Sequence, residues 1–420
     1  MTPKLLTTLR SYNLKLFAAD AFAGVTVAMV ALPLSLAIAI ASGADPGAGL
    51  VTAIVAGFLI SALGGSRVQV GGPTGAFIVV VYGVIAHHGY DGLVLATLMA
   101  GAILLVAGFL RAGNLIQFIP EAVVNGFTMG IAIIIAASQL KDLFGLQVDH
   151  LPADFLHKLP ALWEGRASFS LAAFGIGLST LLFIVLFRRL APRWPGLIVA
   201  VGITSATVAL LHLPVETIAD RFGALPSSLP APAFPDVSLA RLQELLPSAL
   251  IIAFLAGVES LLSAMVADRM IEGHHRPNAE LIAQGAANIG SGLMGGLPAT
   301  GAIARTATNV KAGGKTPVAG IVHALTLLVI LLFASGLAGQ LALPALAGLL
   351  LLTAWNMSEP HKWREYARLP LEDRFLLLLT LVLTVVADLT IAIGAGVAIG
   401  LALRLRRRHV PPADWTPPKR

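Results

Sequence analysis

Apolar residues run along this chain in long blocks separated by short polar breaks. The blocks lie at about 21–42, 48–63, 73–86, 92–110, 120–140, 168–187, 196–212, 245–267, 280–296, 298–310, 318–338, 341–355, 374–387 and 389–403. Most approach the roughly 20 residues a helix needs to cross ~30 Å of hydrocarbon. Blocks 73–86 and 298–310 supply only about 20 Å each at 1.5 Å per residue, so they read as half-helices. The pattern predicts an all-α polytopic membrane protein of fourteen segments. Residues 1–20 read as a short cytoplasmic helix, with no small-residue cleavage motif at signal-peptide spacing. Two connections, about 141–167 and 213–244, are rich in Pro and Asp. The second contains LPSSLPAPAFPD, whose proline density forbids a continuous helix and favours an extended cover.

Composition sharpens this reading. The chain is 57% hydrophobic and only 12% charged, with a mean hydropathy of +0.85. A soluble surface would need about twice that charge. The absence of Cys excludes disulfide scaffolds, thiolate metal sites and thiol catalysis. The net charge of +6 has a topological explanation. With the N-terminus placed inside, 22 of the 28 Lys and Arg residues fall in inside segments and five fall outside, leaving Arg305 within a block. Positive-inside bias of this size predicts an even number of crossings in the inner (plasma) membrane with both termini cytoplasmic. No nucleic-acid partner is then needed to account for the basic balance.

Self-similarity carries the next inference. Gly72-Pro73-Thr74-Gly75-Ala76 opens one half-helix and Pro298-Ala299-Thr300-Gly301-Ala302 opens the other, with the prolines 225 residues apart. Two halves of seven segments fit that offset, and an odd number inverts the second half. A chance match of residues common in membrane helices is the competing explanation. In an inverted repeat, discontinuous helices bring two N-termini together near the midplane, where free N–H groups and positive dipole ends suit an anion. Pro73 and Pro298 are expected in the first helical turns.

Two ionisable residues stand out within apolar blocks, where charge is costly and usually functional: Glu259 and Arg305. Arg305 is expected to add positive potential for an anion, and Glu259 to take up a proton or bind Na⁺. The competing reading is an ion pair that only holds helices together. Ser263, one turn after Glu259, either shares a cation site or bonds its own backbone. His323 is expected at an interface and Asp388 as a helix cap. Gly313-Gly314-Lys315-Thr316 fails as a nucleotide loop because Asn309 stands where GxxxxGKS/T needs glycine. No HExxH or GxSxG arrangement occurs, and neither an enzyme nor a cofactor is expected.

EAVVNGFT (residues 121–128) through SQLKD (138–142), together with PATGAIARTATN (298–309), resemble the sulfate permease (SulP/SLC26) family of anion transporters. The resemblance implies a 7+7 inverted repeat, with half-helices 3 and 10 meeting near the midplane. It implies a core of segments 1–4 and 8–11 (about 21–110 and 245–338) and a gate of segments 5–7 and 12–14 (about 120–212 and 341–403). Carried over by position, the binding residues fall on Leu34, Ile38, Thr74, Ile303, Ala304 and Arg305, joined by Gly75, Ala76, Thr300, Gly301 and Ala302 at the helix starts. Leu34 and Ala304 replace polar residues of many relatives, so the pocket should lean on backbone amides. By the 225-residue offset, Glu259 is the symmetry mate of Leu34. Relatives usually continue into a cytoplasmic STAS domain, and the basic tail 404–420 is expected to end without one.

The function expected on these grounds is proton-coupled symport of a dicarboxylate such as fumarate or succinate, with Glu259 and Ser263 as the ion-coupling residues. Bicarbonate or sulfate symport with H⁺ or Na⁺, and an uncoupled chloride channel, are the alternatives. A nucleobase carrier shares the architecture, but Arg305 in its ARTATN setting fits anions better. The partners expected are the small anion, its coupling ion and membrane lipid, and the resemblance leaves a homodimer open.

Overall fold

The computed structural model describes residues 2–114, 120–148, 151–152, 154–191, 195–387 and 389–406. Its helices are α1 (Lys4–Thr8), α2 (Leu14–Ala41), α3 (Pro46–Leu63), α4 (Ile78–Phe109), α5 (Glu121–Phe144), α6 (Phe155–Glu164), α7 (Leu171–Leu190), α8 (Gly196–Leu211), α9 (Ile218–Phe222), α10 (Leu239–Ile271), α11 (Pro277–Leu293), α12 (Ile303–Lys311), α13 (Pro317–Gly339), α14 (Leu343–Met357), α15 (Trp363–Tyr366), α16 (Leu371–Val386) and α17 (Leu389–Arg406). Two short strands, β1 (Gly71–Gly72) and β2 (Thr300–Gly301), precede α4 and α12. Every apolar block coincides with a helix. Among the described residues, seven helices are long and apolar enough to cross a membrane individually. Asp388 and the end of the basic tail, 407–420, lie outside the described residues.

Local chemistry explains the boundaries. Asp45 accepts from Gly47 N ahead of α3, and Pro46 occupies the first helical position, where a missing N–H costs nothing. Thr316 and Pro317 open α13 the same way. The blocks at 73–86 and 92–110 form one α4, broken at Gly89, whose φ of 70° and ψ of −179° lie outside helical space. α2 starts at Leu14, earlier than the apolar block, because Asn13 caps it through Leu16 N. The proline-dense stretch 225–236 forms no helix, as expected, and α10 begins beyond it at Leu239.

The most extensive helix packings fall into two sets: α2, α3, α4, α10, α11 and α13 against one another, and α5, α7, α14, α16 and α17. Small residues make close approach possible within the first set. Gly285 of α11 faces the backbone of Gly101 on α4, where an added Cβ would lie 2.7 Å from the carbonyl oxygen. The starts of α2 and α10, Leu14 and Leu239, and of α4 and α12, Ile78 and Ile303, are 225 residues apart, the spacing of the prolines, whereas the ends Ala41 and Ile271 are 230 apart and Gly71 and Thr300 are 229. At 225 Glu259 falls opposite Leu34, and at 230 opposite Met29.

Candidate functional site

β1 and β2 pair antiparallel, Gly71 with Gly301 and Gly72 with Thr300. Each strand then feeds a helix start. From β1 the chain passes through Pro73 and Thr74 into a 3₁₀ turn at Gly75–Phe77 and on into α4; from β2 it passes through Ala302 into α12. Antiparallel pairing aims the two helices away from one another with their N-termini adjacent. Ala302 N donates to Val70 O and Thr306 N to Ala302 O, which leaves the amides of Ile303, Ala304 and Arg305 with no acceptor in their own helix. The prolines are not in the first helical turns. Pro73 precedes its turn by two residues, and Pro298 lies ahead of β2.

Glycine is required on both strands. A Cβ on Gly301 would lie 1.5 Å from Gln69 Nε2. Gly72, at φ +152°, would carry a Cβ 2.1 Å from Arg305 Nη1. The Arg305 side chain thus folds back across β1, and it is 1% exposed. Its Nη2 donates to Ser35 Oγ at 3.0 Å and Pro73 O at 3.2 Å. Arg305 is a buried cation behind the helix starts. Glu259 sits within range of its charge but forms no ion pair with it among the described residues, so the helix-tying reading is not what the structure has. Instead Glu259 Oε2 accepts from Thr74 Oγ1 at 2.9 Å.

The predicted residues divide accordingly. Thr74 spends its hydroxyl hydrogen on Glu259, and Thr300 spends its own on Ala256 O at 2.8 Å. Neither is left to donate to an anion. Ile38 is buried in the main apolar core, away from the open face. Leu34 and Ile303 are half-buried, and Ala304 is exposed. Lys311, two turns further along α12, is exposed as well, so one face of this helix is open from its start toward its end. Gly75 and Ala76 are buried, with Met357 of α14 and Ile135 of α5 against Gly75. Ser263 faces Thr306, with 3.2 Å between their hydroxyl oxygens, rather than its own backbone.

Sequence reading missed several polar residues. Thr306 Oγ1 also accepts from Val70 N, which ties α12 to the approach to β1. Glu259 and Arg305 are not the only charges taken inside: Glu280, Asp20 and Lys158 are buried too. Glu280 Oε2 accepts from Gly65 N at 2.9 Å and Ser66 N at 3.2 Å, while its Oε1 accepts from Ser260 Oγ and Gln284 Nε2, each at 3.0 Å. Asn288 exchanges bonds with Ala299 N and O. The signal was present as Glu280, Gln284 and Asn288 at four-residue spacing, a polar stripe on an otherwise apolar helix. His323, expected at an interface, is fully buried.

The sequence matches the Sulfate permease family over residues 17–380. YvdB of Bacillus subtilis (strain 168), named as a sulfate transporter, is 40% identical over 88% of this chain and 70% of its own length. The bicarbonate transporter BicA of Picosynechococcus sp. is 33% identical over 79% of this chain, which spans only 60% of that relative. Among solved structures, the transmembrane domain of a cyanobacterial bicarbonate transporter BicA superposes with a TM-score of 0.82 at 30% identity, covering 91% of this chain and 98% of the other. Murine Slc26a9, an anion transporter in its inward-facing state, gives 0.86 at 18% identity over 97% of this chain and 72% of that one, a likeness of fold alone.

Proposed function

The chain belongs to the sulfate permease family of multi-pass membrane transporters, and on that premise we propose that it is a secondary active carrier of a small inorganic anion, bicarbonate or sulfate. The observation that carries this reading is the β1–β2 pair, which sets two helix N-termini side by side in front of the buried Arg305. Free backbone amides and positive dipole ends favour an anion there, and Arg305 adds a full charge from behind. The dicarboxylate expectation gives way. With both threonine hydroxyls committed elsewhere, backbone amides form one compact donor cluster, which suits a single oxyanion better than two separated carboxylates. Relatives named for sulfate and bicarbonate point the same way.

In this proposal the helices make fourteen segments in two inverted halves, with both termini cytoplasmic. The first packing set is the moving core and the second the gate. The open face of α12 from Ala304 toward Lys311 makes this an inward-facing arrangement, while Phe77, Ile78 and Val81 on the other half-helix are packed shut. Glu259 carries the coupling ion, H⁺ or Na⁺. Its bond from Thr74, at the start of the opposite half-helix, gives ion and anion a shared element.

Uptake of labelled bicarbonate, sulfate and succinate into proteoliposomes, under an imposed pH or Na⁺ gradient, tests the reading. An inorganic anion should accumulate against its gradient, and Glu259→Gln should abolish accumulation while leaving anion exchange. Accumulation of succinate alone would reject the substrate class. Large uncoupled chloride currents, or normal accumulation in Glu259→Gln, would reject the coupling.

A further inference from the structure

His323 lies on α13, fully buried, and neither ring nitrogen makes a well-formed hydrogen bond to the protein. A neutral ring carries one N–H donor and one acceptor nitrogen, so it holds an unspent lone pair here. The ring lies against Gly57 of α3, where a Cβ would be 3.5 Å from Cε1 and 3.2 Å from Gly71 O. Gly71 adjoins Gly72, where an added Cβ would meet Arg305 Nη1 at 2.1 Å and Ala53 Cα of α3 at 3.6 Å. Ala53 and Gly57 are one helical turn apart, so the ring and the guanidinium both border β1 where it lies along one face of α3. The Arg305 charge acts on the His323 ring.

Arg305 has donors to spare. Nη2 makes both of the side chain's hydrogen bonds, and neither Nε nor Nη1 has a protein acceptor among the described residues. A guanidinium carries five N–H groups and no acceptor, whereas a neutral imidazole offers one acceptor nitrogen. Nη1 and the ring nitrogens are buried without a protein partner among the described residues, and one bridging water would satisfy a donor of the one and the acceptor of the other. We propose that His323 is a positioning residue for Arg305: its neutral ring accepts, through one bridging water, the hydrogen bond that Nη1 offers. That contact and the Ser35 bond hold the guanidinium from its two ends. The cation then keeps its place behind the helix starts when an anion in front pulls on it. Glycine at position 57 leaves room for the ring, and glycine at 72 leaves room for the guanidinium. The proposal rests on Arg305 serving the anion site.

The test separates an acceptor from a space-filler. His323→Gln keeps an acceptor, whereas His323→Leu keeps bulk and removes it. In proteoliposomes His323→Leu should raise the half-saturating anion concentration about tenfold, with His323→Gln within about threefold of the parent. Equal behaviour of the two variants, or a better Leu variant, would overturn the proposal. A second measurement needs no transport. In ¹⁵N-histidine-labelled protein in lipid, the ring signals lost in His323→Gln identify His323, and they should report one protonated and one acceptor nitrogen. Arg305→Met should shift the acceptor signal. An unmoved signal, or a doubly protonated ring, would overturn the proposal even in a preparation that transports anions; a shifted signal in one that moves no inorganic anion would sink the functional reading and leave this contact standing.

Discussion

Gly72→Ala offers a test of the site that touches no substrate group. At φ +152° any side chain is strained, at about 1–2 kcal/mol. The larger effect is steric. The new Cβ would stand 2.1 Å from Arg305 Nη1, so the guanidinium must withdraw by about 1.3 Å to reach ordinary contact. Its Nη2 bonds to Ser35 and Pro73, already 3.0 and 3.2 Å long, do not survive that shift. Each hydrogen bond from a charged donor contributes about 1.5–3 kcal/mol, so the total destabilisation is about 4–8 kcal/mol. In an Arg305→Met background only the backbone strain remains, and the double-mutant coupling should be about 3–6 kcal/mol. Equilibrium unfolding in mixed micelles measures the four corners of the cycle, and uptake should fall by about a hundredfold in Gly72→Ala alone. If Gly72→Ala costs as much in the Met background as in the parent, the seating of Arg305 against β1 is not what the glycine protects.

Two further predictions concern charges that the sequence reading overlooked. Glu280→Gln places an amide N–H₂ against two donors on one side or the other, forfeiting two bonds and about 3 kcal/mol, and Glu280→Leu should lose more; thermal unfolding in detergent checks both, and a Gln variant as stable as the parent would refute the four-donor cage. Lys158 lies on α6, in the connection between α5 and α7, over the Tyr82 ring and donating to Ser138 Oγ at 2.7 Å, and burial lowers its ammonium from the usual 10.5 to about 8. Between about pH 8 and 10.5 the unfolded chain therefore holds the proton that the folded one has released, so stability rises with pH across that window and is flat below it. Melting curves from pH 7 to 11 should show that rise in the parent and lack it in Lys158→Met.

The length of the apolar blocks and the scarcity of charge determined the membrane class and the helical character of the chain. These properties depend on bilayer thickness and on the cost of placing charge in hydrocarbon, which act on the chain locally. Arg305, Glu259 and the glycines of the helix starts were legible for the same reason: a charge or a close backbone approach inside an apolar run is conspicuous wherever the rest of the fold lies. Tertiary structure alone decided what those groups do. Only the β1–β2 register shows that Gly72 must be bare because Arg305, 233 residues later, lies across it. Only packing shows that Thr74 turns to Glu259, that Glu280 is caged by Gly65, Ser66, Ser260 and Gln284, and that His323 is buried against Gly57 of α3. Hydrogen-bond partners far apart in the chain leave no periodicity to read, and the side toward which a buried polar group points is set by the helix that packs against it.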